Sequence, residues 1–242
     1  MSVEQLDRLR RGLSDLRTGA LLNLIVYVVV LLSLLPLLPM TLESYDFSHQ
    51  SESVMYLLAI SVSGILAAIL IGIVAFYKFF RATGHFKDFN APRLGIGRIG
   101  VTLQLVGLLI FIFGMVIVIA ASLNVILEAL KTGEVYEYFD LPSIFESIGV
   151  FLLAAIVVFL LTAIILLIGA LLFGAMVMRL SEVEGLEKGF RTAGILYIVG
   201  ILLAWIPYIS LIAVALDVLA LILIYIYSSR GLTSLTRIEG VA

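Results

Sequence analysis

The sequence has no cysteine, few charged residues and only two histidines, His49 and His85. Without cysteine, the chain can form no disulfide, thiolate metal site or cysteine nucleophile. We predict that both histidines lie in loops between apolar runs, so we do not expect histidines to ligate a haem inside a helix bundle. Charged residues make up 13% of the chain, against about 25% in a soluble domain. Together with a hydrophobic share of 62%, this scarcity indicates a membrane protein.

The apolar residues occur in long unbroken runs, which predict membrane helices and exclude the roughly 10-residue alternating segments of a barrel. The run between Arg191 and Arg230 is twice the roughly 20 residues that one crossing needs. Near its middle, Trp205 and Pro207 favour a turn at the membrane surface. We therefore predict an all-α integral membrane protein with six transmembrane helices. Their predicted ranges are 18–38, 54–80, 94–127, 144–178, 190–206 and 208–227.

The basic residues concentrate on one side of these helices. With six crossings both termini share a side, and that side holds all of the 15 Lys and Arg residues except Lys131. Because basic loops stay in the cytoplasm, we expect a cell-membrane protein with both termini cytoplasmic. The polar first residues do not fit a signal peptide, so we expect helix 1 to remain in the mature protein.

The two ends of the chain differ from its apolar centre. In residues 1–17, leucines recur at helical spacing between charged residues and predict an N-terminal amphipathic helix on the cytoplasmic side. Two roles fit this helix: a cap under the bundle, or a contact with an anionic membrane surface or a partner. Residues 18–230 form the predicted transmembrane domain, and residues 231–242 form a cytoplasmic tail.

The six helices form three predicted hairpins, each starting and ending on the basic side. Segments 12–19 and 185–194, before helices 1 and 5, both contain Gly-Leu followed by an Arg-Thr step. Three hairpins of one orientation would be parallel repeats, although arginine and glycine are common at the ends of membrane helices. These segments, and the hairpin over 185–232, resemble uncharacterised multi-pass membrane protein families of archaea. The resemblance implies a membrane fold of unknown function and transfers no catalytic residue.

Asp217 is the only acidic residue well inside an apolar run. Nine residues from Tyr208, it lies about 14 Å deep, near the centre of a hydrocarbon core about 30 Å thick. We expect it to be protonated and to face the bundle interior, with Ser61 and Ser63 of helix 2 at a similar depth. Two interpretations remain open: a proton or cation site, or a neutral Asp that hydrogen-bonds two helices together.

Small and amide side chains on the helices predict contacts between them. Gly64, Ala68 and Gly72 lie four residues apart on helix 2, a spacing that lets another helix approach closely. Asn23 and Gln104 lie one to two turns from the basic surface and are candidates for hydrogen bonds between helices.

Two further motifs resemble binding sites but are interpreted as structural. Residues 95–100 match the dinucleotide pattern G-x-G-x-x-G, but no strand is predicted before them, so we interpret them as a flexible start to helix 3. Residues 128–146 hold five acidic residues and one lysine on the predicted outer side. They lack the spacing of a calcium-binding loop, so we interpret them as a solvated surface.

These observations favour a non-enzymatic membrane protein that acts as a structural or accessory subunit of a membrane complex. The alternative is a small ion-coupled transporter or channel that uses Asp217. The expected partners are the lipid bilayer and another protein or a second copy of the chain. We expect no catalytic residue, no cofactor, no metal and no nucleic-acid partner.

Overall fold

The structure, a computed structural model, describes residues 2–37, 51–132 and 141–239. Six α-helices dominate these ranges, which contain no β-strand, and the predicted six-helix, all-α fold is confirmed. Short 3-10 turns follow the first helix and precede the sixth, at Leu35–Leu37 and Pro207–Ile209. The helices are α1 (Val3–Leu34), α2 (Ser51–Phe89), α3 (Ala91–Thr132), α4 (Leu141–Leu180), α5 (Gly189–Leu203) and α6 (Ser210–Glu239).

Five of these helices are long and apolar enough to cross a membrane. The shorter helix is α5, whose 15 residues extend for about 22 Å, less than a hydrocarbon core of about 30 Å. The chain then turns where the sequence predicts: Ile206 is extended, with φ −102° and ψ 108°, because a residue before proline disfavours the helical conformation. Pro207 opens the next helical turn.

The amphipathic segment 1–17 is continuous with helix 1. Ser2 caps α1, and its side chain and that of Gln5 form a reciprocal capping box. Ion pairs between residues four apart then support the first turns, Arg8 with Glu4 and Arg11 with Asp7, both at 2.7 Å. Since no proline occurs before Pro36, the helix continues into the apolar run.

The other polar stretches on the basic side are also helical. α2 continues to Phe89 and α3 begins at Ala91, so a single residue, Asn90, separates them where the sequence analysis placed a long polar connection. The side-chain oxygen of Asn90 accepts a hydrogen bond from the Arg93 amide, which caps α3. α6 continues to Glu239, through most of the predicted tail.

The chain divides into two compact units. One comprises Met1–Arg98 and Leu172–Ala242, and the other is Ile99–Leu171. The second unit consists of the facing parts of α3 and α4, which run antiparallel. Glycines permit their contact, since Gly107 faces Leu166 and Gly114 faces Val158.

Within the first unit, α1 and α2 pack as an antiparallel hairpin of complementary residue sizes. In the two pairs near the basic end the glycine lies on α1 and faces a phenylalanine, and in the two pairs further along it lies on α2. The facing positions on α1 recur every seven residues, the spacing that keeps a seam between two left-handed supercoiled helices. The pairs are Gly12–Phe86, Gly19–Phe79, Val26–Gly72 and Ser33–Gly64.

α6 packs against both α5 and α1. The α5–α6 hairpin is antiparallel: the rings of Phe190 and Tyr227 pack at a tilt, with centroids 5.9 Å apart, near the basic end. Gly200 meets the α6 backbone near the opposite end. Gly231 of α6 faces Leu13 of α1.

The three predicted hairpins are therefore present, but their origin as repeats stays a prediction. The glycines of the two similar segments have different neighbours: Gly19 faces α2 of its own hairpin, whereas Gly194 faces Gly174 and Met178 of α4. Gly185, in the turn before α5, has a φ of 87°, a conformation that glycine adopts without strain.

Candidate functional site

Asp217 and Tyr27 join α6 to α1 within the apolar spans. The Tyr27 hydroxyl donates a hydrogen bond to Asp217 Oδ2. Tyr27 lies nine residues beyond Thr18, the first residue of the predicted span, and is therefore about 14 Å deep, as is Asp217. Because α1 and α6 run antiparallel, groups near the middle of both helices meet.

α5 completes the surroundings of this pair. A Cβ atom at Gly200 would lie 3.3 Å from the Asp217 amide nitrogen, so the missing side chain permits the close approach of α5. The ring of Tyr197, on the preceding turn of α5, packs edge-on against Phe173, with centroids 5.4 Å apart. Three helices, α1, α5 and α6, thus meet around Asp217.

The carboxyl group of Asp217 has one occupied oxygen and one unoccupied oxygen. Oδ2 accepts from Tyr27, whereas Oδ1 is buried and has no hydrogen-bond partner among the described residues. A carboxyl in hydrocarbon is stable when it is neutral or paired. This arrangement can therefore hold two helices together, and it can also offer one oxygen to a proton or a cation.

Ser61 and Ser63, the predicted neighbours of Asp217, make other contacts. Ser63 donates to the Ala59 carbonyl of its own helix at 2.7 Å. Ser61 is buried and its hydroxyl has no partner in the described part of the chain. The structure thus pairs Asp217 with α1, and the sequence analysis did not identify Tyr27. The matching depths of Tyr27 and Asp217 were the available signal.

The predicted small-residue stripe of α2 lies against α1. Ala68 is 3% exposed, and Gly64 is so close to Ser33 that a Cβ atom would overlap the serine side chain. Gly72 has more room, since its Cβ would lie 3.9 Å from Val26. Contact is therefore tight at one end of the stripe and ordinary at the other.

A buried carboxylate at the basic end was also missed. Asp15 of α1 forms ion pairs with two residues of α2, Lys78 at 2.9 Å and Arg81 at 3.4 Å. The Nε2 atom of His85, also on α2, lies 3.8 Å from the same carboxylate. His85 therefore lies in a helix, and its predicted position in a loop is wrong, because α2 continues to Phe89. His49 lies outside the described residues. The cluster fixes α1 to α2 where both helices leave the apolar spans.

The glycine motif at 95–100 lies inside α3, so its interpretation as a flexible segment is wrong. Gly97 packs against Met176, whose side chain occupies the space of a Cβ atom. Arg98 lies over the Phe80 ring, 3.3 Å from its centroid, and donates to the Phe80 carbonyl. The motif therefore serves helix packing.

The two amides within the spans differ from these paired groups. Asn23 on α1 and Gln104 on α3 are both partly exposed, and neither makes a hydrogen bond within the described part of the chain. Each side chain retains two donors and an acceptor for a partner.

The side chains of the acidic segment 128–146 lie outside the described part of the chain. Among the side chains that are described, no group of three His, Asp or Glu residues is arranged to hold a metal ion.

Comparisons with known proteins address the identity of the chain. No curated protein and no solved structure matches it. Residues 2–237 match the family described as protein of unknown function (DUF973), which confirms the resemblance to an uncharacterised family, while an archaeal source stays a prediction. Because this match covers nearly the whole chain, the protein belongs to the DUF973 family.

Proposed function

We propose that this protein is a non-enzymatic structural or accessory subunit of a membrane complex. The observation that supports the proposal most is that two amide side chains, Asn23 and Gln104, make no hydrogen bond within the described part of the chain. Asp217 binds Tyr27 of a neighbouring helix, and Asp15 binds α2. The two amides, in contrast, make no such bond within the described part of the chain.

An amide without a partner in hydrocarbon costs about 2–7 kcal/mol, depending on the reference state. Hydrogen bonding across helices removes that cost, and polar side chains commonly join membrane helices in this way. A hydroxyl or amide from another protein, or from a second copy of this chain, can form the missing hydrogen bond. In the apolar 18-residue stretch of α3 only 6% of the residues are buried, which leaves surface for such a partner.

Photo-crosslinking in native membranes tests this proposal. A photoreactive residue at Asn23 or Gln104 should give discrete protein adducts, whose masses distinguish a different protein from a second copy. The matched control is Val28, an apolar residue of α1 that is 55% exposed. It should give mainly lipid adducts. Lipid adducts alone at all three positions would contradict the subunit proposal.

The proposal includes a cell-membrane location with both termini in the cytoplasm, which the basic residues support. Because the chain has no cysteine, single cysteines can be introduced without removing others. Cysteines at Ser2 and at the exposed Thr233 should label from the cytoplasm, and one at Ser51 from outside. Labelling of Ser2 and Thr233 from opposite sides would contradict this topology.

A second candidate function is a small ion-coupled transporter or channel. The buried, unpartnered Oδ1 of Asp217 supports it, because an intramembrane carboxyl oxygen can receive a proton or a cation. Purified protein in liposomes should then carry an ion flux that Asp217→Asn abolishes while the protein remains folded. Absence of flux in the wild-type protein across proton, sodium and potassium gradients would contradict this function.

A further inference from the structure

The Tyr27–Asp217 pair has apolar surroundings toward the basic side of the protein. Ala20 lies two turns before Tyr27 on the same face of α1, and Leu221 and Ile224 lie one and two turns after Asp217 on α6. These three residues are at most 2% exposed, and Oδ1 of Asp217 is itself buried. Water from that side therefore does not reach an ion bound at Asp217.

A metal ion needs more oxygen ligands than the side chains offer here. Ca²⁺ and Mg²⁺ take about six or more oxygens, and an alkali ion must likewise replace its hydration shell with oxygens of the protein. Asp217 has two oxygens, and Tyr27, which donates to Oδ2, adds a third. Gly200 of α5, which meets the backbone of Asp217, has no side chain to contribute.

The backbone around the pair offers no further ligands. Cation sites in membrane transporters commonly use carbonyls that are released where a helix is broken. α1, α5 and α6 are continuous at Tyr27, Gly200 and Asp217, so the carbonyls of these residues bond within their own helices. The carbonyl of Gly200, for example, accepts from the amide of Ala204. Three side-chain oxygens are too few for a metal ion, whereas a proton needs only one.

The charges of the three helices also favour a proton. Their apolar stretches contain no Lys, Arg or His; these stretches are residues 18–34, 192–203 and 210–229. The titratable residues that α1 and α5 contribute there are Tyr27 and Tyr197, and neither carries a positive charge. An ionised carboxylate without a cation is far less stable in hydrocarbon than a neutral acid.

We propose that Asp217 binds a proton and excludes metal cations. The proton lies on Oδ1, and the Tyr27 hydroxyl donates to Oδ2, the carbonyl oxygen of the resulting acid. Binding forms one O–H bond, breaks none and removes the charge of the carboxylate. As the identity of a transported ion the proton rests on the transport function proposed above, whereas its binding does not.

Infrared difference spectroscopy of the full-length protein in lipid at neutral pH tests the site, because a protonated carboxyl has a carbonyl stretch that a carboxylate lacks. The spectrum of wild type minus Asp217→Asn should contain this band. Saturating Na⁺, K⁺, Mg²⁺ or Ca²⁺ should leave the band unchanged relative to choline at equal ionic strength. The matched control Asp88→Asn changes an exposed carboxylate that lies 3.6 Å from Arg8, and its difference spectrum should lack the band.

Absence of the band at Asp217 would overturn the proposal. Its loss on addition of a metal ion, but not of choline, would do so too. Tyr27→Phe tests the position of the proton, since a hydrogen bond to a carbonyl oxygen weakens the C=O bond. The band should therefore move to higher wavenumber in this variant, and an unchanged band would overturn the assignment of the two oxygens. Circular dichroism checks that each variant is folded.

Flux measurements in liposomes separate this proposal from the transport function. The band together with an absence of any ion flux would support the proton site and contradict transport. A flux of Na⁺ or K⁺ that Asp217→Asn abolishes would support transport and overturn the proton assignment.

Discussion

Replacing Tyr27 by phenylalanine would remove the hydroxyl that donates to Asp217 and leave that carboxyl without a partner among the described residues. Hydrogen bonds between membrane helices contribute about 0.6 kcal/mol on average and at most about 1.7 kcal/mol. A buried polar group that loses its partner adds a desolvation penalty of about 1–3 kcal/mol. We therefore expect Tyr27→Phe to lower the free energy of unfolding by about 1.6–4.7 kcal/mol.

Substitutions of Asp217 complete the test. Asp217→Asn keeps an acceptor for the Tyr27 hydroxyl and should cost less than about 1 kcal/mol, whereas Asp217→Leu should cost about as much as Tyr27→Phe. The double variant Tyr27→Phe/Asp217→Leu removes both polar groups. It should therefore be more stable than the sum of the single effects predicts, by about 1 kcal/mol or more.

Unfolding of the purified protein in mixed micelles with increasing dodecyl sulfate measures these free energies. Tyr56→Phe is the control, because Tyr56 is 74% exposed and the change should have little effect. Additive single and double variants would refute the interpretation of this bond as a link between α1 and α6. Unchanged stability of Asp217→Asn, together with loss of an ion flux, would favour the transport function.

Three further predictions concern helix packing and can be checked with the same unfolding assay. Ala68→Leu should lower the free energy of unfolding by about 1–3 kcal/mol, because it overpacks the α1–α2 contact. Ala67→Leu, at the exposed neighbouring position, should be nearly neutral. Equal effects of the two changes would place the small-residue stripe of α2 against lipid. Gly194→Ala should destabilise the protein, because its Cβ would lie 2.7 Å from backbone atoms of α4, whereas Gly72→Ala has room and should be tolerated. Asp15→Asn should cost about 1–3 kcal/mol by leaving basic groups of α2 without their anion, and an unchanged stability would show that the cluster is merely a surface feature.

The number of helices and their pairing into hairpins could be predicted because a bilayer limits what can cross it. Apolar runs of about 20 residues have few alternatives to a spanning helix, and Pro207 divides the longest run where the structure turns. Hydropathy did not predict where the helices end. Charged residues interrupt an apolar run but not a helix, since Arg, Lys and Glu are good helix formers. α1 therefore begins at Val3, and α2 reaches Phe89.

The unpredicted helix extensions also explain the unpredicted Asp15 cluster. Hydropathy placed His85 in a loop, where its neighbours cannot be deduced. Once α2 is continued to Phe89, Lys78, Arg81 and His85 lie on one helical face at spacings of three and four residues. That face packs against α1 at Asp15. A helix-propensity argument applied to the polar stretch could have found the face, but not the helix it contacts.

The case of Asp217 shows which part of a membrane site the sequence determines. Counting residues from the membrane surface gives the depth of a side chain, and it places Asp217, Tyr27 and Ser61 at comparable levels. Depth does not give the order of helices around the bundle. α1 and α6 are the first and last helices, so no short connection or local pattern predicts their contact. Tyrosine is common at membrane–water interfaces. At mid-depth, however, a phenol hydroxyl needs a partner as much as a carboxyl does, and matching all such groups by depth would have proposed the Tyr27–Asp217 pair.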